Sequence, residues 1–333
     1  LTASYHFIFP PLSMGLGLML LFVSGAYLRT KDPKWRRLSF FWVKVYGSVF
    51  AMGVATGIVM EFEFGMNWAD YSRFVGNIFG SLLAAEGVFA FFLEGGFLGL
   101  MLFGGNRLGP KLWFTASLMV VLGAHFSALW IVMANSWMQT PAGYEIQNLP
   151  KPTRAVMTDF WETVFTPSFV TRLLHVFFAS WTAGAALMAS VGAWYILRKP
   201  QFAGLGKACL AISLPAFIVF SVANGFIFGP ESARSVAENQ PTKLAAMEGI
   251  YETEESAPAS LFGWVDEGSG ETIGLAVPGL LSFLSGQDTV TGINDFEVPP
   301  TVVNLTFQSY HLMVGLGMAI IPFARLAAGW WFW

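Results

Sequence analysis

Seven long apolar stretches, divided by polar or turn-rich connections, dominate this 333-residue chain. They fall at about 4–28, 38–62, 77–104, 112–137, 168–197, 206–228 and 305–328. Each reaches or approaches the roughly 20 apolar residues that let an α-helix cross a hydrocarbon core. The pattern predicts an all-α, polytopic transmembrane helix bundle of seven spans. Residues 1–228 are expected to form a six-span block, 229–303 an extramembranous unit, and 304–333 the seventh span. The longest link within the block, 138–167, carries prolines and aromatics that suggest an ordered external cap. The chain opens on Leu1 and stops in the run Trp330–Trp331–Phe332–Trp333, so a longer protein with further helices is expected.

Composition supports a membrane protein. Hydrophobic residues make up 55% of the chain and charged ones 12%, with a mean hydropathy of +0.57, all far from soluble averages. Charge also gives the spans a direction. The first link holds Arg29, Lys31, Lys34, Arg36 and Arg37 against Asp32 alone; Arg107 and Lys111, then Arg198, Lys199 and Lys207, fall in links on the same side. By the positive-inside rule that side is cytoplasmic, so the acidic stretch 229–303 faces outward. The basic residues suit anchoring to membrane lipid, and no phosphate-cradling or nucleic-acid motif accompanies them. Cys209 is the only cysteine. An intrachain disulfide is excluded, and without C-x-x-C-H any haem must be held by axial ligands and packing. No internal repeat stands out, which argues against a transporter built from inverted halves.

Ionisable groups inside a span are expensive and each needs a reason. His175 lies about six residues into the fifth span and Met313 about eight into the seventh, roughly 9 and 12 Å down. The matched depths permit an imidazole and a thioether to share one low-spin haem iron; a hydrogen-bonded core histidine and a packing methionine are the alternative. His311, two residues before Met313, points about 200° away around the helix, so both cannot face one iron. It either bonds a haem propionate or a loop residue, or replaces Met313 as axial ligand. Pro10 removes the partner of the His6 carbonyl, so the first span should kink there. A histidine in that widened turn could ligate a second haem, or simply bond water at the interface. His125 and Lys44 read as structural.

The third span carries Glu86 and Glu94. With Ser127 at an intermediate depth on the fourth span, they suggest a proton ladder Glu94–Ser127–Glu86 towards the cofactor zone. Asn135 lies two turns further outward on that helix. In the outer unit, Lys243 and Glu248 bracket LAAM. If helical, the pair should face one way, a base and an acid able to bind and deprotonate a quinol head group; a solvated helix explains them equally well.

Several stretches together resemble subunit I of the cytochrome bd family of quinol oxidases: YHFIFPPLSMG, GVATGIVMEFEFGMNW, the Glu86/Glu94 span, SALWIVMANSWMQTP, LLHVFFASWTAGA and TKLAAMEG. The similarity runs from Ser4 through the seventh span. It implies that His175 and Met313 ligate the low-spin haem b, and that His6 ligates either haem d or the high-spin haem b. It puts Glu86 beside the oxygen-reactive haem, Glu94 and Ser127 on the proton path, Asn135 at another polar position there, and Lys243 and Glu248 in an external quinol-binding Q-loop of the short type. The family reaction oxidises quinol at the outer face and reduces dioxygen to water with cytoplasmic protons, building proton motive force without a pump. The partners implied are cytochrome bd subunit II and often a small single-span subunit, all in the bacterial or archaeal plasma membrane. Two departures stand out. Well-known members have arginine where this chain has His311, and the segment that supplies the third haem's glutamate ligand would follow Trp333. Competing readings are a quinol-oxidising b-type cytochrome with another electron acceptor, which would need no Glu86/Glu94 ladder, and a haem-free transporter.

Overall fold

The computed structural model describes residues 1–148 and 153–332. Pro150 and Pro152, part of the expected cap, lie outside the described residues, as does Trp333. In chain order the helices are α1 (Thr2–His6), α2 (Phe9–Thr30), α3 (Pro33–Gly65), α4 (Ala69–Ala85), α5 (Phe92–Gly104), α6 (Pro110–Gln139), α7 (Phe160–Val164), α8 (Phe169–Arg198), α9 (Ala203–Ala223), α10 (Gly229–Asn239), α11 (Pro241–Glu248), α12 (Leu280–Ser285) and α13 (Val303–Phe332). Among the described residues seven helical runs are long and apolar enough to cross a membrane.

Local chemistry sets several of the boundaries. The first span breaks between His6 and Phe9, as Pro10 requires. Helix α2 ends on Lys31 in the left-handed region, and Asp32 then caps α3, its carboxylate accepting from Lys34 N at 2.8 Å. Two spans are longer than their hydropathy suggests. The third begins at Ala69, and the sixth runs unbroken from Pro200 to Asn239, through residue 228 and into α10. Hydropathy misses α10 because GPESARSVAEN is polar. Pro230 does not break the run because it follows a π-helical turn, Asn224–Phe228, where the usual hydrogen-bond ladder is already displaced. A second π turn, Glu86–Phe91, joins α4 to α5.

The bundle is centred on α2 and α6, with α3 and α13 at its periphery. Leu16, Met19, Trp42, Tyr46, Met101, Trp113 and Met188 are fully buried at its heart. Small residues permit the closest crossing. A Cβ on Gly15 would lie 2.0 Å from Ser180 O, and one on Gly184 would lie 2.1 Å from the Gly15 carbonyl carbon. Helices α2 and α8 therefore meet backbone to backbone.

The links are not wholly helical. Antiparallel two-stranded ladders pair β1 (Tyr144–Gln147) with β2 (Arg154–Met157), β3 (Glu254–Glu255) with the non-consecutive β6 (Thr289–Val290), and β4 (Ala259–Asp266) with β5 (Glu271–Val277). The unit after α10 has its own small core. Ala245, Ala246, Val265 and Ile293 pack on Val303 and Phe307 at the start of α13. Strand β4 runs beside that helix: Val265 N donates to Asn304 Oδ1 at 3.1 Å and Gln308 Nε2 to Gly263 O at 2.7 Å. The loop is thereby pinned to the seventh span.

Candidate functional site

The two carboxylates of the third span each meet a hydroxyl on a neighbouring helix. Ser127 Oγ on α6 donates to Glu86 Oε1 at 2.6 Å. Glu94, one turn past the π segment, is buried and accepts from the Tyr46 hydroxyl of α3. Its tight seat against α6 depends on Gly123, where a Cβ would fall 2.8 Å from Glu94 N. Ser127 meets Glu86, but among the described residues it has no hydrogen bond to Glu94 and so does not bridge the carboxylates. It serves Glu86, and Tyr46 serves Glu94.

Two half-buried histidines, one on α6 and one on α8, differ sharply. His125 Nδ1 lies 2.7 Å from Val121 O and its Nε2 accepts from Trp181 Nε1 at 2.9 Å. Both ring nitrogens are used, so the ring is a structural strut. His175 Nδ1 is buried and has no hydrogen-bond partner. Its ring lies beside Gly229, at the end of the π turn, where a Cβ would come within 3.9 Å of His175 Cε1. One helical turn before it on α8, Arg172 donates to Asn135 Oδ1 of α6, while Arg172 Nε is buried and unpartnered. Met313 lies on α13 with its side chain half exposed.

At the C-terminal end of α6, Gln139 Oε1 accepts from Lys243 Nζ and from Gln240 Nε2, both at 2.9 Å. Burial first, and the Arg172 charge second, bring Lys243 down to about 8. Glu248 takes a different direction. It is buried and accepts from Ser260 N at 3.2 Å. Burial raises its carboxyl above the usual range, against the opposing pull of the Ser260 N–H and His311. Helix α11 does form, but Lys243 and Glu248 do not share a face, because five residues turn a helix by about 500° and leave the two roughly 140° apart.

His311 binds the loop. Its Nδ1 lies 2.9 Å from Phe307 O, its Nε2 2.8 Å from Ser260 O, and the Glu248 carboxylate stands 4.0 Å away. Both ring nitrogens face backbone carbonyl oxygens, so neither is turned towards a metal. The loop-bonding alternative is therefore the one adopted, and the axial role considered for His311 does not fit this arrangement. His6 differs again: Nδ1 is 2.8 Å from Thr56 Oγ1, and Nε2 is the nitrogen left over.

Sequence reading missed Tyr46, Arg172, Gln139 and Gln240. Arg172 did carry a signal, a cation one turn from a candidate ligand inside an apolar run. Tyr46 could have been noticed as a hydroxyl in VKVYGSVF, but its partner lies on another helix.

The chain matches the family model for cytochrome bd terminal oxidase subunit I over residues 1–333. It is 40% identical over 333 residues to cytochrome bd-II ubiquinol oxidase subunit 1 of Escherichia coli (strain K12), covering 99% of this chain and 62% of that protein. It is 35% identical over 350 residues to cytochrome bd ubiquinol oxidase subunit 1 of Bacillus subtilis (strain 168), covering 99% of this chain and 72% of the relative. It therefore belongs to the cytochrome bd terminal oxidase subunit I family. The bd oxidase structure from Geobacillus thermodenitrificans has the same fold, with a TM-score of 0.87 and 29% identity over 98% of this chain and 74% of that one. Relative to the E. coli protein, the chain spans less than two thirds of the length.

Haem is the cofactor this bd oxidase family implies, and the donors here suit it. A buried imidazole nitrogen without a partner, a thioether with an open side, and a second imidazole fixed at Nδ1 by a threonine are the donor types that hold haem iron.

Proposed function

We propose that this chain is the haem-bearing catalytic subunit of a bd-type quinol oxidase in a bacterial or archaeal plasma membrane, working with a subunit II and often a small single-span subunit. His175 and Met313 would hold the low-spin haem b, and His6 one of haem d and high-spin haem b. Bound haem supplies one-electron transfer and the site of dioxygen reduction. The unpartnered His175 nitrogen beside Arg172, contrasted with the saturated ring of His125, is the observation that most favours this reading.

The chain's own residues manage binding and protons. Lys243, held by Gln139, and Glu248, held by Ser260, bracket the quinol head group from different directions. A quinol hydroxyl can pass its proton to Glu248, whose burial makes the carboxylate a stronger base than an exposed one. On the other side of the reaction, Glu94 and Glu86 hold protons bound for oxygen. Tyr46 and Ser127 orient the two carboxyls. Quinol protons released outside and oxygen protons taken from the cytoplasm separate charge without a pump.

Reduced-minus-oxidised absorption spectra of membranes carrying the assembled oxidase test this. Expected are b-haem bands together with a chlorin band at the red end. A spectrum without haem would reject the proposal. A b-only spectrum would favour the related cytochrome with another electron acceptor.

A further inference from the structure

The C-terminal end of α6, the N-terminal end of α8 and helix α11 bring two cations together with no anion to balance them. Ion pairs among the described residues are Arg73–Asp70, Arg234–Glu231 and His311–Glu248, so neither Arg172 nor Lys243 has a carboxylate partner. Instead each rests on a neutral amide, Asn135 and Gln139, one turn apart on the same face of α6. The Arg172 charge reaches both Lys243 and His175. Arg172 Nε and Gln240 Oε1 are buried without partners. Two like charges brought together out of bulk water repel and lose hydration, a cost that a neutral rack does not offset. An anion between them would offset it.

The order of groups along α8 indicates which anion. His175 lies deeper in the bundle, and Arg172 lies one turn closer to the loop that carries Lys243. A ligand filling both positions needs an apolar, metal-binding body towards His175 and a carboxylate at its edge towards the cations. A porphyrin has that polarity.

We propose that Arg172 and Lys243 form a paired cationic anchor for a propionate of the haem whose iron His175 ligates. The proposal rests on the haem-bearing reading above. It gives Lys243 a second task, joining the quinol-facing loop to the edge of the electron acceptor, and makes Arg172 a positioning residue. A guanidinium is the better partner for a carboxylate because its fork can donate twice.

The test uses the assembled oxidase in membranes, with redox titration of the low-spin haem and infrared difference spectra of its propionate carboxylates. A nearby cation disfavours the more positive ferric state, so Arg172→Gln and Lys243→Gln should each shift the midpoint potential negative. Both should perturb the propionate bands, and the double variant should shift further. Arg172→Lys should restore most of the wild-type potential. Loss of low-spin haem from Arg172→Gln that Arg172→Lys reverses would support the anchor equally. Unchanged midpoints and propionate bands in both single variants, with the haem lost from His175→Ala, would overturn the anchor and leave the ligand assignment standing. An unaltered low-spin spectrum in His175→Ala would overturn both. A shift that disappears once anionic lipid is removed would assign the cations to a lipid phosphate and overturn the propionate assignment.

Discussion

The carboxylate pair of the third span and the cation pair at the loop end of the bundle are both ionisable groups drawn at least partly out of water, but they are built on opposite principles. Glu86 and Glu94 each have a hydroxyl donor from another helix, so the fold itself supplies each with a hydrogen-bond partner. Arg172 and Lys243 rest on amides without counter-charge, beside a histidine with a spare nitrogen. A self-satisfied group needs no ligand and suits holding a proton. An unsatisfied one gains free energy when a ligand arrives. His125 on α6 and His175 on α8 repeat the contrast.

Exchanging those two histidines for leucine should break the comparison most visibly. We expect His175→Leu to abolish the low-spin haem signal while the subunit still inserts. His125→Leu should keep the haem complement but strand the Trp181 N–H, a loss of about 1–3 kcal/mol of stability. Haem content per subunit and thermal unfolding of the purified oxidase read the two effects. An unchanged low-spin spectrum in His175→Leu would remove the distinction.

Next in size is the protonic role of the saturated pair. Glu94→Gln preserves the shape and can still accept from Tyr46, but it cannot release a proton. Turnover with dioxygen should fall by about 100-fold or more, the usual worth of a positioned acid–base group, while haem spectra stay normal. Turnover within a factor of about two of wild type would exclude Glu94 from the path.

At the loop end, Glu248→Ala should slow quinol oxidation by about 10-fold or more with haem content intact. Because burial lifts the Glu248 carboxyl, the folded form keeps its proton at pH values where an unfolded glutamate has lost it. This group's contribution to stability therefore falls as pH climbs from the ordinary carboxylate range through the raised value. The rate of quinol oxidation should rise over the same window, as the base becomes available, and the variant should lose that rise. A pH profile identical in wild type and Glu248→Ala would take Glu248 out of the site.

Much of this was legible along the chain, for identifiable reasons. Hydropathy finds spans because a bilayer demands long apolar helices, and Pro10 announced the break after His6 because its missing N–H is a local fact. The polar continuation of the sixth span through α10 was invisible to the same signal. Candidate ligands stood out because histidine and glutamate are rare in apolar runs. What sequence could not give was pairing. Tyr46 with Glu94, Arg172 with Asn135 and His311 with Ser260 join residues 48, 37 and 51 positions apart. The shared face assumed for Lys243 and Glu248 failed on simple helical geometry.

The smallest expected effect concerns the hydroxyls that complete the carboxylate pair. Tyr46→Phe removes the donor to Glu94 without changing the ring that packs in the core, and Ser127→Ala does the same for Glu86. Each leaves a carboxyl short of one partner, worth about 1–3 kcal/mol where no water replaces it. The tyrosine variant should suffer more, since Tyr46 is fully buried whereas Ser127 and Glu86 are only partly so. If these hydroxyls orient rather than relay, turnover should drop by less than about tenfold in each and the loss should not add to that of Glu94→Gln. A Tyr46→Phe enzyme as slow as Glu94→Gln would instead make the phenol an obligatory carrier. The saturated region would then be a continuous wire and not a pair of separately held acids.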